Sequence, residues 1–529
     1  LKPIKLVQGF LTVGLWTLLS RVFGFVRDIM IAAYLGTGPV AEAFFIAFSL
    51  PNMFRRFFAE GAFNMAFVPM FSKKLEREDE DALAFAQQAF AGMAFLLTLF
   101  SVLGILLMPL LVTAMASGFR GDERFELAVS YGRLAFPYIL FISLAALVSG
   151  VLNATGRFLA AAAAPVLLNM VFILAVVVGA ALGRDPSESL GLGLDRALGL
   201  RVGDSLALSV PFAGFVQLAL VWWAAKRAGF HLRPGMPRLS PDMRRLARIA
   251  APAALAGGVV QVNLLVGRQV ASFFDGAVGW LNYADRLYQL PLGVVGIALG
   301  IVLLPDLSRR LGAGDTIGGR DAFNRACELS LALTVPAAVA LVVIPVPLIS
   351  VLFERGSFDA GDTAATALAV AIYGLGLPAF VLQKALQPLF FAREDTRSPF
   401  HYALWAMVVN LAVALGLAPL IGWTAAALAT TLAGWAMVWL LWRGSRAMGE
   451  AAQTDARFRR RLGRICLASV LMGGILWGAA WGLSGMLQAA GARYLALMLL
   501  IAVGMIAYFG IGHLLGAFRL AEFRRAVKR

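Results

Sequence analysis

The chain has 529 residues, 60% hydrophobic and 14% charged, with a formal net charge of +16. A soluble protein of this size carries about 25% charged residues, so a soluble globular fold is excluded and an all-α polytopic membrane protein is expected. Two distant cysteines (Cys327, Cys466) and three scattered histidines (His231, His401, His513) argue against a disulfide framework and a histidine metal site.

Apolar windows of 18 or more residues recur from end to end, each long enough to cross ~30 Å of hydrocarbon. They predict 14 transmembrane helices, near 7–34, 40–71, 82–115, 125–152, 157–182, 205–227, 243–273, 278–308, 322–348, 362–391, 398–418, 421–443, 462–485 and 493–516. Lys2 and Lys5 precede the first run, which lacks a small-x-small cleavage site and reads as a span, not a leader. The second run is divided by Arg55 and Arg56. It reads as one crossing, because splitting it would put Lys73 and Lys74 outside. The longest external connection, 183–204, reads as an amphipathic piece on the outer interface.

An even number of spans puts both termini on one side. The loops of that side, including "KKLERE", "SRRLGAGD" and "RFRRRLGR", hold most of the 46 Lys and Arg residues. This asymmetry predicts cytoplasmic termini. It also assigns the positive charge to membrane lipids at the surface, with no nucleic acid partner.

The two halves repeat. Pro137 and Pro378, Thr155 and Thr396, and Asn169 and Asn410 all differ by 241 positions. "FSLPN" at 48–52 matches "YQLPL" at 288–292, and "FVPMFSKKL" at 67–75 matches "LLPDLSRRL" at 303–311. A repeat of six spans keeps its orientation, so two six-helix lobes related by a parallel internal repeat are expected, with a cavity between them. The expected divisions are 1–228, 229–446, and 447–529 for two C-terminal helices and a basic cytoplasmic tail.

Charges stand inside several spans. Arg21, Arg27, Arg55, Arg56 and Arg286 would together forfeit on the order of 10 kcal/mol if they faced lipid. Arg21 and Asp28 are seven apart and share a helical face with Ser20 and Arg27 beside them, and Gly24 permits a local break. Arg56 and Glu60 stand i,i+4, Asp285 precedes Arg286, and Glu42 lies near the outer end of the second span. One reading makes these structural ion pairs: Arg21 with Asp28, Arg56 with Glu60, Asp285 with another cation. It leaves a surplus of arginine, and guanidinium suits phosphate through its fixed fork of donors. The other reading is therefore a phosphate-bearing anionic substrate.

No lysine follows a glycine, so there is no P-loop, and no H-E-x-x-H or G-x-S-x-G appears. A non-enzymatic transporter is the expected class.

The stretches "SRVFGFVRD", "AFFIAFSLPNMFRRFFAEGAFNMAFVPMFS", "FPYILFISLAALVSGVLNATGRF" and "NYADRLYQLPLGVVGIALGIVLLPDLS" closely resemble the MurJ (MviN) family of bacterial lipid II flippases. That family belongs to the multidrug/oligosaccharidyl-lipid/polysaccharide exporter superfamily. The resemblance implies movement of lipid II, the undecaprenyl-diphosphate-linked peptidoglycan precursor, from inner to outer leaflet by alternating access in the bacterial inner membrane. It carries the diphosphate contacts onto Arg21, Arg27, Arg55 and Arg286, and orienting or gating acids onto Asp28, Glu42, Glu60 and Asp285. Ser20, Arg56 and Asn52 are secondary candidates. No cofactor is implied beyond a sodium ion or coupling to the membrane potential. Asn263, Asn410 and Thr431 supply oxygen donors for sodium, with no carboxylate among them. Implied partners are lipid II and periplasmic-side cell-wall synthases, with a monomeric carrier. A flippase for another polyprenyl-diphosphate glycan, a drug exporter of the superfamily and a membrane scaffold for cell-wall enzymes remain alternatives.

Overall fold

The computed structural model describes residues 6–55, 62–182, 194–232, 235–489 and 491–518. Helix is the regular structure among them, with one isolated bridge between Arg355 and Phe358. A bilayer offers backbone groups no water, so a chain this apolar satisfies them within helices. Ten helices among the described residues are long and apolar enough to cross a membrane.

The chain forms two compact units, Leu1–Gly279 with Arg355–Phe358, and Trp280–Glu354 with Asp359–Arg529. The first contains α1 (Leu6–Leu35), α2 (Pro39–Arg55), α3 (Ala62–Leu75), α4 (Asp79–Leu106), α5 (Met108–Met115), α6 (Glu123–Ala135), α7 (Tyr138–Ala154), α8 (Leu159–Leu182), α9 (Leu194–Arg227) and α10 (Pro241–Ala271). α11 (Ala277–Gly312) leads into the second, followed by α12 (Thr316–Val343), α13 (Pro345–Phe353), α14 (Ala360–Phe391), α15 (Arg397–Ile421), α16 (Thr424–Ser445), α17 (Ala456–Gly482), α18 (Ser484–Gln488) and α19 (Arg493–Leu514).

Four expected spans are broken among the described residues: the fourth at Phe136 and Pro137 between α6 and α7, the thirteenth at Leu483 between α17 and α18, and two others near their ends. The third splits at Leu107 into α4 and α5, and the ninth at Ile344 into α12 and α13. Proline explains the breaks in the third and ninth. Pro109 and Pro345 stand in the first turn of the following helix, where a missing N–H costs nothing, and Ile344, directly before Pro345, is out of helical conformation. The expected external piece at 183–204 is also corrected. Residues 194–204 are the beginning of α9, which runs 34 residues without interruption, while 183–193 lie outside the described residues.

In the first unit α8 packs between α1 and α9. The backbones approach closely at Gly179, where a Cβ would lie 2.8 Å from Val202 Cα. Small residues at such contacts allow the dispersion packing that joins helices in lipid. At Gly104 of α4, the ring of Phe136 occupies the place of a side chain, 2.1 Å from a would-be Cβ.

The second unit joins α17 and α19 to α12 through Ile465, Met472, Leu476, Leu500, Tyr508 and Phe518. Tyr508 Oη donates to the carbonyl of Ala332 at 2.6 Å. Glu328, only 8% exposed on α12, accepts from Arg325, Arg457 and Arg461, and Asp455 also pairs with Arg325. Asn324 completes the attachment: its Nδ2 donates to Gln453 O at 2.8 Å, and its Oδ1 accepts from Asp455 N at 3.0 Å.

Candidate functional site

α1 has 30 residues and is about 45 Å long at 1.5 Å per residue, so Arg27 lies far from its start. The guanidinium is 7% exposed and Asp28 3%. Nε and Nη2 donate to Asp28 Oδ1 at 2.9 and 2.7 Å, and Nη1 donates to Asn169 Oδ1 at 2.9 Å. The Phe172 ring lies 5.6 Å from the guanidinium carbon, a cation–π contact. Asn169 and Phe172 both come from α8, one helical turn apart on the face that meets α1.

Asn169 holds α1 as well as the arginine. Its Nδ2 donates to Ser20 O at 2.9 Å and to Ser20 Oγ at 3.3 Å. Gly24 permits a local break but none occurs, because α1 runs unbroken through that residue. The polar groups are satisfied sideways by α8, so the helix needs no kink. The ion pair expected between Arg21 and Asp28 is also corrected. Asp28 pairs with its neighbour Arg27, while Arg21 is half-buried and makes no side-chain hydrogen bond or ion pair to a described residue.

Phe172 continues the site toward α2. It makes edge contacts with Phe44 and Phe48 at 6.1 and 5.2 Å between centroids. Two residues before Phe44, Glu42 is 1% exposed. Its Oε2 accepts from Arg124 Nη1 at 3.0 Å and its Oε1 from Val278 N at 3.1 Å. Arg124 Nη2 also pairs with Asp122 at 2.6 Å and Asp275 at 3.0 Å, and Phe119 lies under the guanidinium at 4.5 Å. Three carboxylates thus share one buried guanidinium. At the other end of α2, Arg55 Nε donates to Asn52 Oδ1 at 3.2 Å, and Asn52 Nδ2 donates to Phe48 O at 2.9 Å.

Asp285 and Arg286 lie half-buried on α11. Asp285 accepts from Gln289 one turn on. Of the proposed sodium donors, Asn410 is 1% exposed and its Oδ1 has no hydrogen-bond partner among the described residues. Thr431 Oγ1 donates to Ile372 O at 2.9 Å. Arg56, Glu60 and the side chain of Asn263 lie outside the described residues. No cluster of three or more His, Cys, Asp or Glu able to hold a metal occurs among those described.

The structure thus brings Ser20, Arg27 and Asp28 together, and separately Arg55 with Asn52. Sequence reasoning missed two partners. Asn169 stood out only as a repeat marker. Arg124 lies among Asp122, Glu123 and Glu126, just before the fourth expected span, and was not singled out.

The family model described as lipid II flippase MurJ matches residues 31–501. A probable lipid II flippase MurJ of Rhizobium tropici is 43% identical, with 99% of this chain and 97% of that one covered. The lipid II flippase MurJ of Burkholderia cenocepacia is 35% identical, with coverage of 99% and 100%. A solved structure of lipid II flippase MurJ in an inward closed conformation superposes with a TM-score of 0.77 at 22% identity, covering 98% of this chain and 99% of the other. An inward-facing multidrug MATE transporter of the MOP superfamily gives 0.65 at 15% identity, covering 83% and 96%. These two likenesses establish the fold.

Proposed function

The chain belongs to the MurJ family of lipid II flippases, and from that premise we propose that it carries lipid II from the inner to the outer leaflet by alternating access. It does so as a transporter and not as an enzyme. Its place is the bacterial inner membrane, with both termini cytoplasmic, an orientation supported by the basic loops. The fold supports fourteen crossings in two repeated six-helix lobes plus two C-terminal helices: the proline-led breaks before α5 and α13 recur at matching places in the two halves.

The observation that carries the mechanism is the buried guanidinium of Arg27, held by an acid and an amide. An arginine inside a membrane costs about 2.5–3.5 kcal/mol on insertion scales unless it is paired. Here Asp28 neutralises it, and Asn169 fixes its plane. A diphosphate replaces the carboxylate as the guanidinium's partner, because both acceptors fit the same fork of donors. Asp28 then acts as the orienting acid and resting partner of the arginine. Arg21, without such a partner among the described residues, supplies the charge that favours a dianionic group over one carboxylate. Arg55 and Arg286 complete the diphosphate contacts, with Ser20, Asn52 and Arg56 secondary. Glu42, Glu60 and Asp285 serve as orienting or gating acids.

The energy source proposed is the membrane potential, since one elementary charge crossing 100 mV is worth about 2.3 kcal/mol. The buried amide oxygen of Asn410 supports a cation reading beside Thr431 and Asn263, tested by comparing unfolding midpoints in sodium and in potassium. Lipid II is proposed as the partner of a monomeric carrier, with periplasmic-side synthases receiving it.

The test uses cells whose own flippase can be shut off, with an added enzyme that cleaves lipid II in the outer leaflet. Wild type should restore cleavage, and Arg27→Ala at matched abundance should not. If well-inserted wild type leaves lipid II inside, the substrate is another polyprenyl-diphosphate glycan.

A further inference from the structure

Beside α5 and α6 of the first unit lies an open cleft of about 470 Å³. Its walls include Pro109, Phe125 and Leu134, and its polar groups are Glu126, Ser130 and Arg133. Those three stand at i, i+4 and i+7 of α6 and so share one helical face. All three are exposed, and neither Glu126 nor Arg133 makes a hydrogen bond or ion pair to a described residue.

Their order along the helix matters. Glu126 is near the start of Glu123–Ala154, a segment long and apolar enough to cross a membrane. Arg133 is ten residues from that start, about 15 Å deeper along the axis. An arginine at that depth and turned away from the packed interior needs water or an anion. The carboxylate, nearer the membrane surface, needs a cation. Leu134 of the cleft wall is exposed and apolar, as are Leu106 of α4 and Leu110 of α5.

The geometry points to one phospholipid held in this cleft, its headgroup carrying a phosphodiester and a primary ammonium. The phosphodiester accepts from Arg133 and from the Ser130 hydroxyl, and the ammonium donates to Glu126. Its acyl chains run along the leucines. Such a headgroup has its ammonium outermost, its phosphate beneath and its chains deepest, the same order as the groups on α6. A choline head keeps the charges but has no N–H to donate. A glycerol head satisfies Arg133 and leaves Glu126 without a cation.

The full chain in detergent is titrated with dioleoyl phosphatidylethanolamine, phosphatidylcholine or phosphatidylglycerol. Bound lipid is counted by native mass spectrometry alongside the unfolding midpoint. Wild type should retain the ethanolamine lipid about tenfold more tightly than the other two, the worth of one charge-assisted hydrogen bond. Glu126→Gln should abolish the preference over choline, and Arg133→Gln should weaken all three lipids. Both positions are exposed, so both variants should match wild type in lipid-free detergent. Equal retention of the ethanolamine and choline lipids by wild type would overturn the assignment. So would Glu126→Gln retaining the ethanolamine preference, or tighter binding of the glycerol lipid, which would make Arg133 a site for acidic lipids.

Discussion

Replacing Asn169 with aspartate preserves the shape of the side chain, yet it should silence transport. Asn169 Oδ1 accepts from Arg27 Nη1 at 2.9 Å, and its Nδ2 donates to Ser20 O at 2.9 Å. The aspartate brings a second carboxylate to a guanidinium that already holds Asp28 at 2.7 Å. Two opposite unit charges about 4 Å apart attract by about 4 kcal/mol at an effective dielectric constant of 20. Losing the donor to Ser20 O costs about 1 kcal/mol. Repulsion between the two carboxylates offsets part of that attraction, and what remains holds Arg27 more tightly in the variant while the protein stays folded. A diphosphate must then displace or share two carboxylates, and even a third of that attraction weakens its binding about tenfold. Asn169→Ala acts in the opposite sense. It frees the guanidinium, and side-chain hydrogen bonds within membranes are worth about 0.6 kcal/mol on average and about 1.7 at most. Its transport should fall only a few fold. The assay is enzymatic cleavage of outer-leaflet lipid II at matched abundance, with unfolding midpoints measured on the purified variants. Wild-type transport by Asn169→Asp would refute the argument, as would a loss of abundance that accounts for its defect.

Arg124→Ala leaves Glu42 buried with no guanidinium, and breaking a buried pair this way costs about 3–5 kcal/mol; a sharply lowered unfolding midpoint and poor abundance are expected, and a midpoint within a degree of wild type would count against it. Arg124→Lys keeps the charge but offers no planar fork to reach Glu42, Asp122 and Asp275 together, so its midpoint should fall between the two. Gly104→Ala forces the Phe136 ring to move and should destabilise by about 1–3 kcal/mol, read as a shift in denaturation midpoint. Asn324→Ala removes both backbone contacts to Gln453 and Asp455; hydrogen exchange should quicken in residues 446–455, while unchanged exchange would show that the arginines around Glu328 hold that segment alone.

Composition made the membrane class legible; the breaks at Leu107 and Ile344 were not, because proline also stands inside helices that continue, as at Pro165, Pro211 and Pro378. The arginines of α1 were legible because charge inside an apolar run has few explanations. Their partners were not. Asn169 lies 142 positions from Arg27, and an asparagine in an apolar helix has no periodicity that names what it faces. Arg124 was hidden by its neighbours: a mixed-charge stretch reads as solvated, and only packing against α2 shows that its guanidinium is buried. The continuity of α1 through Gly24 was likewise invisible, since a glycine permits a bend without requiring one. The start of α9 failed for a related reason. "LDRALGLRVGD" mixes charged and apolar residues as an interfacial piece does, yet it begins the helix that follows.

The attachment of α17 to α12 also sets an order of events during synthesis. Glu328 leaves the ribosome 133 residues before Arg461, a delay of about 7–27 s at 5–20 residues per second. During that interval a carboxylate within an apolar helix lacks two of its three eventual partners. Arg325, one turn earlier on the same helix, is already present and can enter the bilayer with it as a neutral pair. The C-terminal helices then arrive at a site that has been kept electrically balanced until their arginines emerge.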